Sequence, residues 1–382
     1  MSLPNTDPEP LVALTEAGVS IWLDDLSRDL LASGGLADFV RDQQVSGVTT
    51  NPSIFAAAIG RGAAYGEQLA ELATADATAS QALRAMTTRD VQLACDVLRP
   101  VFDATDGVDG RVSIEVDPRL ADDTDATIAE ARELWQQVDR PNLFVKIPAA
   151  LRSLPAITRC LAEGISINIT LIFSLQRYQQ VIDAFLDGME QAQRAGRDLH
   201  VITSVASFFV SRMDAEIDAR LDALGDGRAP ELRGRAAIAN ARLAYQRYEE
   251  MLQSARWAAL AAAGARPQRP LWASTSTKDP AYDDTRYVVE LVAPDTVNTM
   301  PESTLQAVAD HGRVPKDSIR GTYRDAQQTL EQLSAIGIDY DDVVSTLEAR
   351  GVAKFQDAWS ALQGQIDTAL TDLRNQGRVD HA

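Results

Sequence analysis

Eight short apolar or alternating segments recur along the chain, each separated from the next by a longer segment of helical period. This is the pattern of a parallel sheet whose strands are joined by crossover helices. The strands are expected at Ile21 to Asp24, Gly47 to Thr50, Arg111 to Val116, Leu143 to Lys146, Ile165 to Leu171, His200 to Ser204, Leu271 to Ser274 and Thr296 to Thr299. Between them, Ile128, Ala131, Trp135 and Val138 fall on one helical face, as do Tyr178, Ile182, Phe185 and Met189. Ser174 reads as the N-cap of the second of these helices and Gly196 as its stop. The Ala- and Arg-rich stretch from Asp214 to Ala263 has few breakers beyond Gly225, Gly227 and Gly234, so two or more helices are expected there, with Gly264 to Pro270 returning the chain to the sheet. Pro301 to Leu373 reads as mainly helical, with Gly377 as a stop.

Periodicity alone allows either a closed barrel or an open doubly wound sheet. The open sheet usually carries a phosphate loop after a strand, and no strand here is followed by GxGxxG or GxxxxGK[ST]. The glycine cluster from Gly60 to Gly66 follows a helical segment and reads as a simple loop. The expectation is therefore an α/β protein, a (β/α)₈ barrel of the TIM type. It forms one domain over residues 1–382, with a helical insertion after strand six and a helical C-terminal part from about 301.

A formal net charge of −19 disfavours non-specific attraction to nucleic acid or to anionic membranes, so neither is expected as a partner. Any basic site for an anionic substrate must be local. Met1 to Pro10 has neither a basic start nor an apolar core, and no apolar run approaches the ~18 residues of a spanning helix. A cytoplasmic protein is expected. Cys95 and Cys160 are far apart within helical segments, the setting of buried free thiols, and His200, His311 and His381 are scattered. That distribution argues against a His-rich metal site and against a Ser-His-Asp triad. Chemistry here falls to Lys, Asp and Glu.

Strand five is the most informative segment. From Ile165 to Leu171 apolar and polar residues alternate without a break, placing Ser166, Asn168 and Thr170 on one face. In a barrel the isoleucines meet the helices and the polar face points inward, which suggests a site. Lys146 ends an otherwise apolar strand, and Pro148 holds Ile147 extended, so the strand continues just past the lysine. A lysine at the C-terminal end of a barrel strand lies where active sites are built, and apolar neighbours favour the neutral amine that attacks a carbonyl. From this segment alone, a snorkelling surface lysine is an equal reading. Asp24 and Glu115 end two other strands, where carboxylates beside an amine can shuttle protons; solvated strand termini are the alternative, and one residue of register exchanges Asp24 for Asp25.

Taken together, these strand ends resemble the transaldolase family, over essentially the whole barrel portion from Ile21 to about Ser274. The resemblance rests on five motifs in one order: Trp22-Leu23-Asp24, Gly47-Val48-Thr49-Thr50-Asn51-Pro52-Ser53, Ser113-Ile114-Glu115-Val116-Asp117, Val145-Lys146-Ile147-Pro148 and Asn168-Ile169-Thr170-Leu171-Ile172-Phe173-Ser174. It implies a transferase of the non-oxidative pentose phosphate pathway that uses no metal and no cofactor. Such an enzyme carries a dihydroxyacetone unit from sedoheptulose 7-phosphate or fructose 6-phosphate to glyceraldehyde 3-phosphate or erythrose 4-phosphate. It also implies roles: Lys146 forms the Schiff base, Asp24 takes the C4 hydroxyl proton, and Glu115, through a water held by Thr170, serves imine formation. Asn51 and Asn168 hold substrate hydroxyls, and Phe209 lies close to the imine where aldolase-like relatives tend to have Tyr. Ser207 and Arg212 match phosphate-gripping positions, with Ser274 and Lys278 as further candidates because Ser276 stands where many shorter relatives have Arg. The last helix is expected to cover the barrel mouth. Monomer and homo-oligomer both remain open.

Overall fold

A computed structural model of the chain describes residues 8–60, 63–224 and 227–380. Of the features singled out above, Met1–Asp7, Arg61 and Gly62 of the glycine cluster, Gly225 and His381 lie outside the described residues. Eight strands, β1 (Val19–Leu23), β2 (Val45–Val48), β3 (Arg111–Glu115), β4 (Leu143–Pro148), β5 (Ile167–Ile172), β6 (Ser204–Phe209), β7 (Arg269–Ala273) and β8 (Thr296–Met300), close into a barrel in sequence order. Every neighbouring pair is parallel. Closure satisfies the edge hydrogen bonds that an open sheet leaves unpaired. The strands are buried on both faces, which is why their outward positions are mostly apolar, Val, Ile and Leu in β3 to β5 and Phe208 and Trp272 in β6 and β7.

The N-terminal end of the barrel is plugged. Arg111, 1% exposed, donates to the carbonyls of Gly107 and Pro141 and stacks over the Phe144 ring at 5.0 Å. Burial pushes its guanidinium down to about 9. Ser20, Trp22 and Arg269 converge on Asp109 at 2.6, 3.1 and 3.0 Å. Trp22 fits only because β2 has a glycine opposite it: a Cβ on Gly47 would stand 2.6 Å from the indole ring. With one end filled, substrate access is left to the C-terminal end.

The strands lie within about two residues of their expected bounds except at strand six, and the last helix ends later than expected. The helix Leu175–Arg194 buries its expected stripe, and Thr124–Val138 buries Ile128, Ala131 and Val138 but leaves Trp135 half-buried, with Leu134 buried beside it; Ser174 Oγ accepts from Arg177 N at 2.9 Å, and Gly196 has φ +71° just past the end. The insertion holds helices Ser211–Leu224, Ala229–Leu232, Ala236–Leu252 and Ala255–Ala262. Strand six, expected at His200 to Ser204, is displaced: Leu199–Val201 is a short 3₁₀ turn, because Asp198 caps it by accepting from His200 N at 3.0 Å, and the strand proper starts at Ser204. Gly377 stops nothing. The last helix runs over 41 residues, Tyr340–Asp380, and one glycine costs it only about 1 kcal/mol relative to Ala.

After β8 the chain continues in helices Glu302–His311, Tyr323–Ala335 and Tyr340–Asp380. The last crosses the barrel mouth, strapped by ion pairs Arg177–Glu348 at 3.1 Å, Arg220–Asp342 at 2.6 Å and Arg350–Glu216. Gly351 allows the approach, since a Cβ there would lie 3.2 Å from Leu171 and Phe173. No described helix is long and apolar enough to cross a membrane. Cys95 and Cys160 are buried, free thiols inside helices.

Candidate active site

The register of three adjacent strands assembles the centre of the site. Glu115 of β3 pairs with Lys146 of β4, and Lys146 with Asn168 of β5, so three polar side chains that alternate inward meet in one row. Lys146 is 4% exposed at the base of a cavity of about 190 Å³. Its ammonium donates to the Thr50 carbonyl at 2.9 Å, pairs with Glu115 Oε2 at 3.4 Å and faces the Phe355 ring at 5.7 Å. Snorkelling is thereby excluded: the side chain points into the barrel and is 5% exposed.

Glu115 is equally enclosed. Burial pushes its carboxyl up to about 7 in spite of the attraction of Lys146, and Asp24 adds to the rise. Neither of its oxygens, nor the buried Thr170 hydroxyl, has a hydrogen-bond partner among the described residues. The backbone beside Thr170 is irregular: Leu171 has φ +60° and the β5–β6 register shifts between Ile169 and Ile172. A non-glycine residue in that region is strained, and such strain gathers at functional sites.

Asp24 follows β1 directly, its N–H bonded to the Met300 carbonyl at 2.8 Å. The register question is settled for Asp24, which lines the cavity, whereas Asp25 does not. Its Oδ1 accepts from Thr49 at 2.8 Å, and Thr49 in turn shares a 2.6 Å hydrogen bond with Thr299. Burial raises the Asp24 carboxyl above its ordinary range; Lys146, Thr49 and Arg212 pull it down, and Asp25 pushes it up.

Asn51 caps the helix Pro52–Gly60 through Oδ1, which accepts from Ser53 N at 3.0 Å and Ile54 N at 3.1 Å, leaving its amide nitrogen as a donor at the cavity wall. Asn168 is locked between neighbours: Nδ2 donates to Ser113 Oγ at 3.0 Å, and Oδ1 accepts from Ser207 Oγ at 2.6 Å. Of the expected site residues, all but Glu115 and Asn168 line the main cavity. Glu115 also borders a small neighbouring cavity with Asn51, Thr87 and Glu130.

Toward the mouth, Phe209 packs on Phe173 at 5.2 Å and carries the Arg212 guanidinium over its ring at 5.1 Å. Phe208 faces outward against Tyr178 and Trp272, a core aromatic. Ser274, with φ +57°, shares a hydrogen bond with Ser211 at 3.0 Å, and Lys278 donates to Ser276 at 2.7 Å. Sequence reasoning missed Thr49, Thr299, Lys354 and Phe355, all lining the same cavity. Lys354 and Phe355 had one faint mark, a lysine and an aromatic following Gly351 by three and four positions in a strongly charged helix. Among the described residues no group of three or more His, Cys, Asp or Glu side chains is arranged to hold a metal ion. The centre can do amine and carboxylate chemistry: a buried nucleophile, two carboxyls held above their usual range, and cations at the rim.

The sequence matches the Transaldolase/Fructose-6-phosphate aldolase family over residues 21–366. It is 63% identical to a protein of Acidothermus cellulolyticus named Transaldolase, across 96% of this chain and 99% of that one. Proteins of the same name from Frankia alni and Thermobifida fusca are 60% and 59% identical, each across 94% of this chain and 97% and 98% of theirs.

Proposed function

Because this chain belongs to the transaldolase/fructose-6-phosphate aldolase family and is an enzyme of the transaldolase type, we propose that Lys146 carries a dihydroxyacetone unit as a Schiff base between sugar phosphates. The observation that carries the reading is the buried Lys146 ammonium, 3.4 Å from Glu115 at the base of a cavity that Asp24 also lines. The amine attacks C2 of a ketose phosphate such as fructose 6-phosphate. Glu115 takes the proton that the Lys146 ammonium must lose to attack, then returns it through a water shared with Thr170 to the C2 hydroxyl, which departs as a second water as the imine forms. Their buried oxygens, which accept no hydrogen bond from any described residue, support this pairing. Asp24 takes the C4 hydroxyl proton as the C3–C4 bond breaks, and the electron pair passes into the cationic imine to give an enamine. The aldose phosphate departs, a second aldehyde takes its place, and the steps reverse with Asp24 returning the proton.

Asn51 and Asn168 hold hydroxyls of the three-carbon unit, the second oriented by Ser113 and Ser207. The Phe209 ring offers no proton to the carbanion, which favours transfer over simple cleavage. Arg212, Ser274 and Lys278 face the phosphate. Such an enzyme works beside its sugar-phosphate substrates in the cytoplasm.

The test is chemical trapping. Incubation with fructose 6-phosphate and reduction with borohydride should leave a dihydroxyacetone-sized adduct on the peptide bearing Lys146, and Lys146→Ala should abolish both adduct and transfer while the fold survives. An unmodified Lys146, with a control enzyme trapped in parallel, refutes the reading in favour of a catalytically silent barrel.

A further inference from the structure

We propose that Lys354, from the C-terminal helix, is a phosphate-binding and specificity-setting residue, the third cation of a clamp with Arg212 and Lys278. The inference rests on the reading of the cavity as a sugar-phosphate site. Three elements far apart in sequence deliver these cations to one cavity: the helix following β6, the loop following β7 and the last helix.

Their charge is unbalanced locally. The chain has a net charge of −19, and most of its arginines lie against carboxylates, yet neither Arg212 nor Lys354 makes an ion pair or hydrogen bond with any described residue. Lys278 donates only to the neutral Ser276 hydroxyl. Burial first, and then Arg212 and Lys354, push the Lys278 ammonium down against the pull of Asp24, so the three cations lie close enough to repel. Among the described residues Asp24 is the one carboxylate that lines the cavity beside Arg212, Lys278 and Lys354, so positive charge stays in excess there, and an anion entering among the cations relieves that excess.

Lys354 is held in place although its side chain stands exposed at the rim. One turn before it, Gly351 seats the helix on Leu171 and Phe173; one residue after it, Phe355 is 3% exposed and meets the Lys146 ammonium. The straps Arg177–Glu348 and Arg350–Glu216 lie just before this turn. Lys354 thus adds, from the last helix, a third positive charge to those that the segments after β6 and β7 bring to the same cavity. The consequence is a site selective for a terminal phosphate dianion, with the C-terminal helix as part of the binding surface as well as a cover.

Inorganic phosphate is the probe, bound to the full-length enzyme and followed by calorimetry, alongside kcat/KM for fructose 6-phosphate relative to unphosphorylated fructose. Lys354→Met should weaken phosphate binding about tenfold and lower the fructose 6-phosphate preference by a similar factor, chiefly through KM. Lys354→Arg should restore both. An unchanged phosphate Kd and an unchanged preference in Lys354→Met overturn the proposal. Wild-type enzyme that binds phosphate but leaves no adduct on Lys146 sinks the catalytic reading instead, so the two failures are distinguishable.

Discussion

Glu115→Gln is the perturbation whose consequence can be worked furthest from the structure. The wild-type carboxyl rises from 4.5 to about 7 on folding, because burial outweighs the pull of Lys146. A shift of that size corresponds to roughly 3 kcal/mol at about 1.4 kcal/mol per unit. The folded protein binds the Glu115 proton more tightly than the unfolded chain does. Its contribution to stability is therefore complete below pH 4.5 and is lost as pH rises through about 7. Glutamine keeps the shape and cannot titrate. Urea denaturation of both proteins from pH 4.5 to 8 should show the variant gaining roughly 3 kcal/mol on the wild type across that range, because the other titrating groups cancel to first order. A constant offset, from Lys146 losing its partner, leaves the slope untouched. A difference curve that stays flat within about 0.5 kcal/mol, or that falls with pH, refutes the argument that burial dominates at Glu115. The same variant should slow imine trapping by about 10²-fold and remove any rate inflection near neutral pH.

The other outcomes are more local. Asp24→Ala should leave the adduct on Lys146 intact while bond cleavage slows by about 10²- to 10⁴-fold, read by single-turnover release of the aldose; normal release would remove Asp24 as the base. Gly47→Ala should lower stability by about 1–3 kcal/mol in chemical denaturation, since its Cβ meets the Trp22 indole at 2.6 Å and that ring is pinned to Asp109; a neutral effect would mean the barrel floor repacks freely.

Much of the site was legible because it depends on short-range rules. The unbroken alternation from Ile165 to Leu171 could put Asn168 and Thr170 only on one face of a strand, and a lysine ending an apolar run before Pro148 could lie only near a strand end. Phe209 and Phe208 separate, one into the cavity and one into the core, because neighbours on a strand face opposite ways. The start of β6 was misplaced because Asp198, a side-chain cap of a few atoms, outcompeted an apolar run that strand periodicity favours.

What the amino-acid order by itself determined was the succession of strands and helices and the candidate reacting groups near the strand ends, since periodicity and motif spacing act within about ten residues. Tertiary structure alone decided the choice between Asp24 and Asp25, the Glu115–Lys146 pair and the rise of the Glu115 carboxyl, because these depend on barrel register and on exclusion of water by distant segments. It also brought Lys354 and Phe355 to a cavity whose lysine lies more than two hundred positions away in the chain. No local rule can carry that information, for the contact exists only once the last helix is packed across the closed barrel.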